Sequence, residues 1–281
     1  MKISEFIKSN IKKLQKTNIS NSSKEIHYIL QEQLNFSLEE IIFNKDYIID
    51  DNQITKLNKI INQRVNGKPI SKIFKKSYFR DIELFVNKHT FSPRIDSEVL
   101  IDVLVKENIN FKNIIELGTG TGALSISLLK YFKGTNALVT DISKEAIYIA
   151  KKNAIINNTF NRMQFVCCNW LDCFDNLNFD ILISNPPYVR TSDILNLDVE
   201  VKKYDPLTAL DGGADGLVAY EEILNSIKQI GKKDFWLLFE IGYDQAETVT
   251  KMMTDSGIKN IRLFKDYNNL PRCVLGKLEM S

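Results

Sequence analysis

The sequence predicts an α/β fold, a doubly wound and mostly parallel sheet, with a small helical domain ahead of it. Three observations carry this. Beyond residue 110, short apolar runs alternate with helical segments. One of these runs leads straight into Gly118-Thr119-Gly120-Thr121-Gly122, which opens a helix. Residues 1–66, by contrast, carry apolar residues at helical spacing throughout.

A chain of 281 residues has room for one large or two ordinary domains with a sizeable core. Its 44% hydrophobic and 26% charged residues are those of a soluble globular protein. No apolar run approaches the ~20 residues that span a bilayer. The start, MKISEFIKSNIKKLQK, has no continuous apolar core, so it is not a secretory signal and a cytoplasmic protein is expected. A net charge of +2 is too mild to argue for nucleic-acid binding. Cys167, Cys168, Cys173 and Cys273 show no zinc-like pairing, and only His27 and His89 could assist them. No metal is expected, and the thiols read as buried and reduced.

The helical domain takes its elements from spacing. Ile3, Phe6, Ile7, Ile11 and Leu14 mark one helix; Ile26, Ile29, Leu30 and Leu34 mark a second. Asn18 to Ser23 is a turn ending in N-cap residues. A third helix runs from Ser37, and a fourth holds Ile54, Leu57, Ile60, Ile61 and Val65, before Gly67 and Pro69 end the pattern. Gln53 to Arg80 carries eight Lys or Arg and no acid, which suits a solvated face or a contact surface for an acidic protein or an RNA. Tyr78, Ile82, Leu84 and Val86 then fall at even spacing, predicting a β-hairpin turned at Arg80-Asp81. Val99 to Val105 reads as a helix that Asp96 or Ser97 would cap.

In the second half, strands are predicted at 113–117, 136–140, 162–166, 180–184, 234–240, 259–264 and 272–278. Helices fit at 123–132, 143–157, 215–230 and 243–256. The late pair of strands suggests an antiparallel final strand closing the sheet.

The glycine loop lets a ligand approach backbone closely, and Asp141, ending the second of these strands, can accept both ribose hydroxyls. With Ala123 as the last small position, the loop satisfies the dinucleotide pattern GxGxxG/A and equally the loop of S-adenosylmethionine enzymes. Trp170, after the third strand, offers an adenine ring its face or belongs to the core. The fourth strand ends at Asn185-Pro186-Pro187-Tyr188. Two prolines make this loop stiff and free of N–H donors, so its carbonyls remain acceptors. Acceptors beside an aromatic ring suit a planar –NH₂ group. A hydride-transfer enzyme has no use for them, and the first and fourth strands flank the switch point of such a sheet, so both loops line one crevice.

The glycine loop, Asp141, Asn169-Trp170 and Asn185 to Tyr188, in this order, resemble the protein-(glutamine-N5) methyltransferases that modify peptide chain release factors. The resemblance extends to Pro93-Arg94-Ile95-Asp96-Ser97-Glu98, which is similar to the family's PRPDTE. It includes Asp205 to Leu210 with Gly212-Gly213, Asp215-Gly216-Leu217, Phe239-Glu240-Ile241-Gly242 with Gln245, and Arg272. The chain departs from the family at Ile95, at Lys75 and Asp81, where glycines are usual, and at Asn268-Asn269-Leu270, which lacks a glycine.

The resemblance implies a class I S-adenosylmethionine-dependent, Rossmann-like fold with a seven-stranded, mostly parallel sheet. Residues 1–70 would be a substrate-docking helical bundle, 71–92 a β-hairpin linker and 93–281 the catalytic domain. It implies S-adenosyl-L-methionine as cofactor (S-adenosyl-L-homocysteine as product), held by Gly118, Thr119, Gly120, Thr121, Gly122, Asp141, Trp170 and Asn185. Asn185 and Pro186 would accept the two N–H bonds of a substrate glutamine, with Pro187 and Tyr188 packing beside it; Asn185, Pro186 and Tyr188 are the expected catalytic residues. The implied partners are class-1 release factors, methylated at the glutamine of their GGQ motif, with neither metal, membrane nor nucleic acid involved and the enzyme a monomer. Two alternatives use the same residues: an adenine-N6 DNA or RNA methyltransferase, for which residues 189–214 offer no basic, aromatic target-recognition region, and a non-catalytic binding module.

Overall fold

The computed structural model describes residues 1–17, 19, 21–230 and 234–279. The chain divides into two compact units, Met1–Phe74 and Lys75–Ser281.

The first unit is helical: α1 Ile3–Gln15, α2 Ser22–Leu34, α3 Leu38–Phe43, α4 Asp51–Val65 and α5 Ile70–Phe74. Helical spacing puts Ile3, Phe6, Leu14, Ile26, Ile29, Leu57 and Ile61 into one core. α3 and α4 each open on a reciprocal cap. Ser37 Oγ accepts from Glu40 N at 3.1 Å while Ser37 N donates to Glu40 at 2.7 Å, and Asp50 and Gln53 repeat the exchange. Of the predicted turn, Asn18 and Ser20 lie outside the described residues.

The basic stretch is no uniform solvated face, because Arg64 and Lys72 are buried. Arg64 Nε and Nη2 donate to the two carboxylate oxygens of Glu25 at 2.6 and 3.1 Å. With Arg64 3% exposed, this pair is shielded from water. Arg64→Met should therefore lower the unit's stability by about 2 kcal/mol, by stranding Glu25 without its fork of donors. Urea unfolding checks this; an unchanged midpoint would mean that the pair contributes nothing net.

The second unit begins with a hairpin, β1 Lys76–Phe79 and β2 Ile82–Phe85. Phe79, Ile82 and Leu84 enter the core of this unit. The turn between β1 and β2 is left-handed at Arg80 (φ 50°), and Lys75 (φ 56°), just ahead of β1, is left-handed as well. Asn269 (φ 62°) does the same before Arg272, a conformation asparagine tolerates.

Then follow α6 Val99–Lys106, β3 Asn113–Leu117, α7 Ala123–Tyr131, β4 Asn136–Asp141, α8 Lys144–Ile156, β5 Met163–Cys167, β6 Ile181–Ser184, α9 Val199–Tyr204, α10 Val218–Gln229, β7 Phe235–Glu240, α11 Ala246–Asp255, β8 Ile258–Lys265 and β9 Pro271–Leu278. The seven-stranded sheet has the order β5-β4-β3-β6-β7-β9-β8. β9 is antiparallel to both its neighbours and lies between β7 and β8, so β8 forms the edge. Successive strand residues serve opposite faces: Ile181 and Ile183 meet the core that includes α6 and α7, whereas Leu182 meets α10 and α11. Asn153 of α8 clamps the hairpin, accepting from Phe85 N at 2.7 Å and donating to Phe85 O at 3.0 Å.

Two expectations are corrected. Neither Asp96 nor Ser97 caps α6; residues Ile95–Glu98 form a 3₁₀ turn and the Ser97 hydroxyl bonds elsewhere. The thiols are not all buried: Cys273 is, but Cys167, which ends β5, and Cys173, on the loop that follows, are exposed. Among the described residues, no cluster of His, Cys, Asp or Glu could hold a metal ion, and no helix is long and apolar enough to cross a membrane.

Candidate active site

β3 and β6 are hydrogen-bonded neighbours at the point where strand order reverses, so the loops at their carboxyl ends share one crevice. A cavity of about 870 Å³ opens there.

The loop after β3 bends through three left-handed glycines, Gly118, Gly120 and Gly122. Its course is fixed by the neighbouring strand: Thr119 N donates to Thr140 O at 2.9 Å, and Gly120 N to Asp141 Oδ2 at 2.9 Å. Asp141 Oδ1 accepts from Ser143 N at 2.9 Å. Burial raises the Asp141 pKa, and these two N–H bonds pull it down. At the floor, Glu116 Oε2 accepts from Ser125 N at 3.1 Å, in the first turn of α7. Burial drives the Glu116 carboxyl up to about 7.

This wiring decides which ligand the loop suits. Gly120 N in the loop and Ser125 N in the first turn of α7 already serve protein carboxylates, and two carboxylates beside the loop disfavour a diphosphate and favour a cation.

Gly118, Thr119, Gly120, Thr121, Asp141 and Trp170 all line the cavity. Gly122 does not. A Cβ on it would meet Ile126 at 3.1 Å and Ala150 at 3.4 Å, so its lack of a side chain lets α7 pack on α8. The Trp170 indole N–H donates to Glu222 of α10 at 2.6 Å, which holds the ring above Gly118.

Across the cavity stand Asn185, Pro186, Pro187 and Tyr188. Asn185 Nδ2 donates to Ser97 Oγ at 3.1 Å, which leaves Oδ1 as the acceptor. The Tyr188 hydroxyl points inward, donating to Glu240 Oε1 at 3.2 Å with Arg272 Nη1 3.5 Å away. Burial and the Glu240 carboxylate raise the Tyr188 pKa, keeping the hydroxyl protonated. Burial also pushes Glu240 up to about 7, against the pull of Ser97, Arg272 and Tyr188. Gln245 Nε2 donates to the carbonyls of Tyr188 and Gly216, both at 3.0 Å. Gly216 must be glycine here: its φ is +79°, and a Cβ would stand 2.5 Å from Tyr188 O. Arg94 pairs with buried Asp205 at 3.2 Å on the same rim.

Two family models match the chain, the PrmC N-terminal domain over residues 5–74 and the methyltransferase small domain over 87–200. A bifunctional methyltransferase of Rickettsia conorii is 33% identical over 97% of this chain and 57% of its own length, so the chain spans about half of that relative. A release factor glutamine methyltransferase of Clostridium acetobutylicum is 32% identical over 98% of both chains. The chain belongs to the release factor glutamine methyltransferase family. The fold is likewise that of the hMettl16 catalytic domain, solved in complex with MAT2A 3'UTR hairpin 1, with a TM-score of 0.54 and 14% identity over 82% of each chain.

The cofactor of this methyltransferase family member is S-adenosylmethionine, and the residues present fit it. Its sulfonium and ammonium charges suit a cavity whose floor and wall carry Glu116 and Asp141. Each Asp141 oxygen spends one lone pair on backbone and keeps another for a ribose hydroxyl. Sequence reading missed Glu116, Ser97 and Glu240 as site residues of this methyltransferase. Ser97 and Glu240 sit inside quoted motifs, which was the signal available; nothing local said that they meet Asn185 and Tyr188.

Proposed function

We propose that the protein transfers the methyl group of S-adenosylmethionine to the side-chain amide nitrogen of the GGQ glutamine in class-1 peptide chain release factors, supporting translation termination as a cytoplasmic monomer. The observation that carries this is the Asn185 carboxamide, whose nitrogen is engaged by Ser97 so that its oxygen is offered to an incoming –NH₂. Relatives named for release factor glutamine methylation support the substrate.

When bound, the cofactor would supply an electrophilic methyl to the amide nitrogen, its sulfur keeping the electron pair as S-adenosyl-L-homocysteine, and the methylated amide would release one proton to solvent. Asn185 Oδ1 and the Pro186 carbonyl accept the two N–H bonds of the glutamine. That points the nitrogen lone pair along the line of displacement and stabilises positive charge developing on nitrogen. An amide nitrogen is a poor nucleophile because its lone pair is delocalised, so alignment is the main lever the chain has. Tyr188, its hydroxyl anchored below, presents its ring to the flat amide. Pro187 stiffens the loop, while Gly118, Thr119, Gly120, Thr121, Asp141 and Trp170 hold the cofactor.

The test incubates the protein with methyl-labelled cofactor and, separately, a class-1 release factor, its Gln-substituted GGQ variant, and adenine-containing DNA or RNA. Label is expected on the release factor alone and should vanish with the glutamine. Label on nucleic acid and none on the release factor would overturn the substrate.

A further inference from the structure

We propose that Arg94 is a substrate-binding residue that determines specificity: its guanidinium, held by Asp205, donates to the main-chain carbonyls flanking the acceptor glutamine. This rests on the methyl-transfer reading above.

Two segments far apart in the chain meet at this point. Arg94 Nη2 donates to Asp205 Oδ2 at 3.2 Å across 111 residues. The Asp205 side chain is 1% exposed and that of Arg94 44%, so a buried carboxylate holds an accessible cation. The guanidinium carbon also stands 5.0 Å from the centre of the Phe91 ring, a second restraint on the side chain. Arg94, Phe91 and Pro206 all line the cavity. Their end of it is the acceptor's. Ser97 N donates to Arg94 O at 3.2 Å and Ser97 Oγ receives Asn185 Nδ2, so Arg94 lies one 3₁₀ turn from the Asn185 contact.

This end of the cavity is poor in donors. Pro93, Pro186, Pro187 and Pro206 line it and have no N–H. The N–H groups of Val189 and of Ala209 to Gly213 are already bonded within the chain. A peptide entering the crevice brings carbonyls that lose water and need partners. Arg94 offers a planar set of N–H groups, of which the bond to Asp205 takes one. Among the described residues that line the cavity, it is the single lysine or arginine.

Charge and shape select the ligand. Asp205 cancels the Arg94 charge, so the pair suits a neutral dipole such as a peptide carbonyl better than a phosphate, which Asp205 would repel. The two glycines ahead of the acceptor glutamine have no side chains to read, so main chain is what distinguishes that glutamine from others. A rigid guanidinium fork reads it by position: the carbonyls must arrive where the N–H groups point.

The experiment measures methyl transfer to the release factor by wild type, Arg94→Met and Arg94→Lys, with calorimetric titration of S-adenosylhomocysteine and urea unfolding of each. Arg94→Met should raise KM for the release factor about tenfold, the scale of one lost charge-assisted hydrogen bond. The affinity for S-adenosylhomocysteine and the unfolding midpoint should not change, which a merely structural role of Arg94 would not allow. A release factor with the second glycine of GGQ changed to alanine should cost wild type more than Arg94→Met, because the displaced carbonyl has no fork left to miss in the variant. Should Arg94→Met not fold, Arg94→Lys decides it: lysine keeps the pair with Asp205 but not the planar fork, and KM should still rise severalfold. An unchanged KM in a folded variant, or additive effects of the two substitutions, overturns the proposal. So does weakened binding of S-adenosylhomocysteine with KM for the release factor unchanged, which would give Arg94 to the cofactor's carboxylate. Absence of label on the release factor with wild type fails the reading beneath; label with wild type and an unchanged KM in both variants fails this proposal alone.

Discussion

Asn185→Ala should cut methyl transfer at saturating substrate by about 100-fold, the scale seen when one aligned polar group is removed from a site where charge develops. The protein should stay folded. Asn185 precedes proline, so its backbone is extended without help from the side chain, and Pro186 and Pro187 stiffen the turn whatever residue stands before them. The loss should fall on kcat, because the carboxamide oxygen does most for the amine as its nitrogen becomes positive. Single-turnover kinetics with labelled cofactor, alongside circular dichroism, separate this from misfolding. A rate within about threefold of wild type would reduce Asn185 to a turn residue.

The second large effect concerns Glu116 and stability. Its carboxyl has a pKa of about 7 in the folded protein, against an ordinary 4.5, chiefly because it is buried. Between those two values the folded state holds a proton that the unfolded state has released, so stability falls as pH rises through that window. A shift of this size amounts to on the order of 3 kcal/mol once both states are ionised. Glu116→Gln removes the penalty, and the amide oxygen can still accept from Ser125 N. The variant should match wild type near pH 5 and exceed it at pH 8, with a flatter but not level profile, because Glu240 carries a similar penalty. Urea unfolding at both pH values tests this; identical pH profiles for variant and wild type would mean that Glu116 ionises equally readily in the folded and unfolded protein. A weaker hold on the cationic cofactor should accompany the gain.

Much of the fold was legible because its signals are local. An apolar run such as Ile181 to Ile183 can be buried on both faces only in the middle of a sheet, and Gly118, Gly120 and Gly122 announce left-handed backbone wherever they occur. The prolines at 186 and 187 state by themselves that their carbonyls have no N–H beside them. Other readings failed because several environments are open to one residue type. Ser97 reads as a helix cap, a role serine often fills, yet its hydroxyl meets a carboxamide. Cys167 and Cys173 read as buried thiols, yet both are exposed.

By itself, then, the sequence determined the order of strands and helices, the switch-point crevice and the acceptor character of the Asn185–Tyr188 loop. All of these follow from periodicity and from the backbone limits of glycine and proline. Only the tertiary structure decided which end of the Asn185 carboxamide faces the cavity and what lies beneath Tyr188. The partners are remote in the chain: Ser97 is 88 residues from Asn185, and Glu240 is 52 and Arg272 84 from Tyr188. The same holds for the glycine loop, whose shape suits a nucleotide of either kind until Glu116 and Asp141 are seen to occupy its donors. Hydrogen bonds over such separations leave no spacing rule in the sequence. They exist because the sheet brings the carboxyl ends of β3, β6 and β7 side by side.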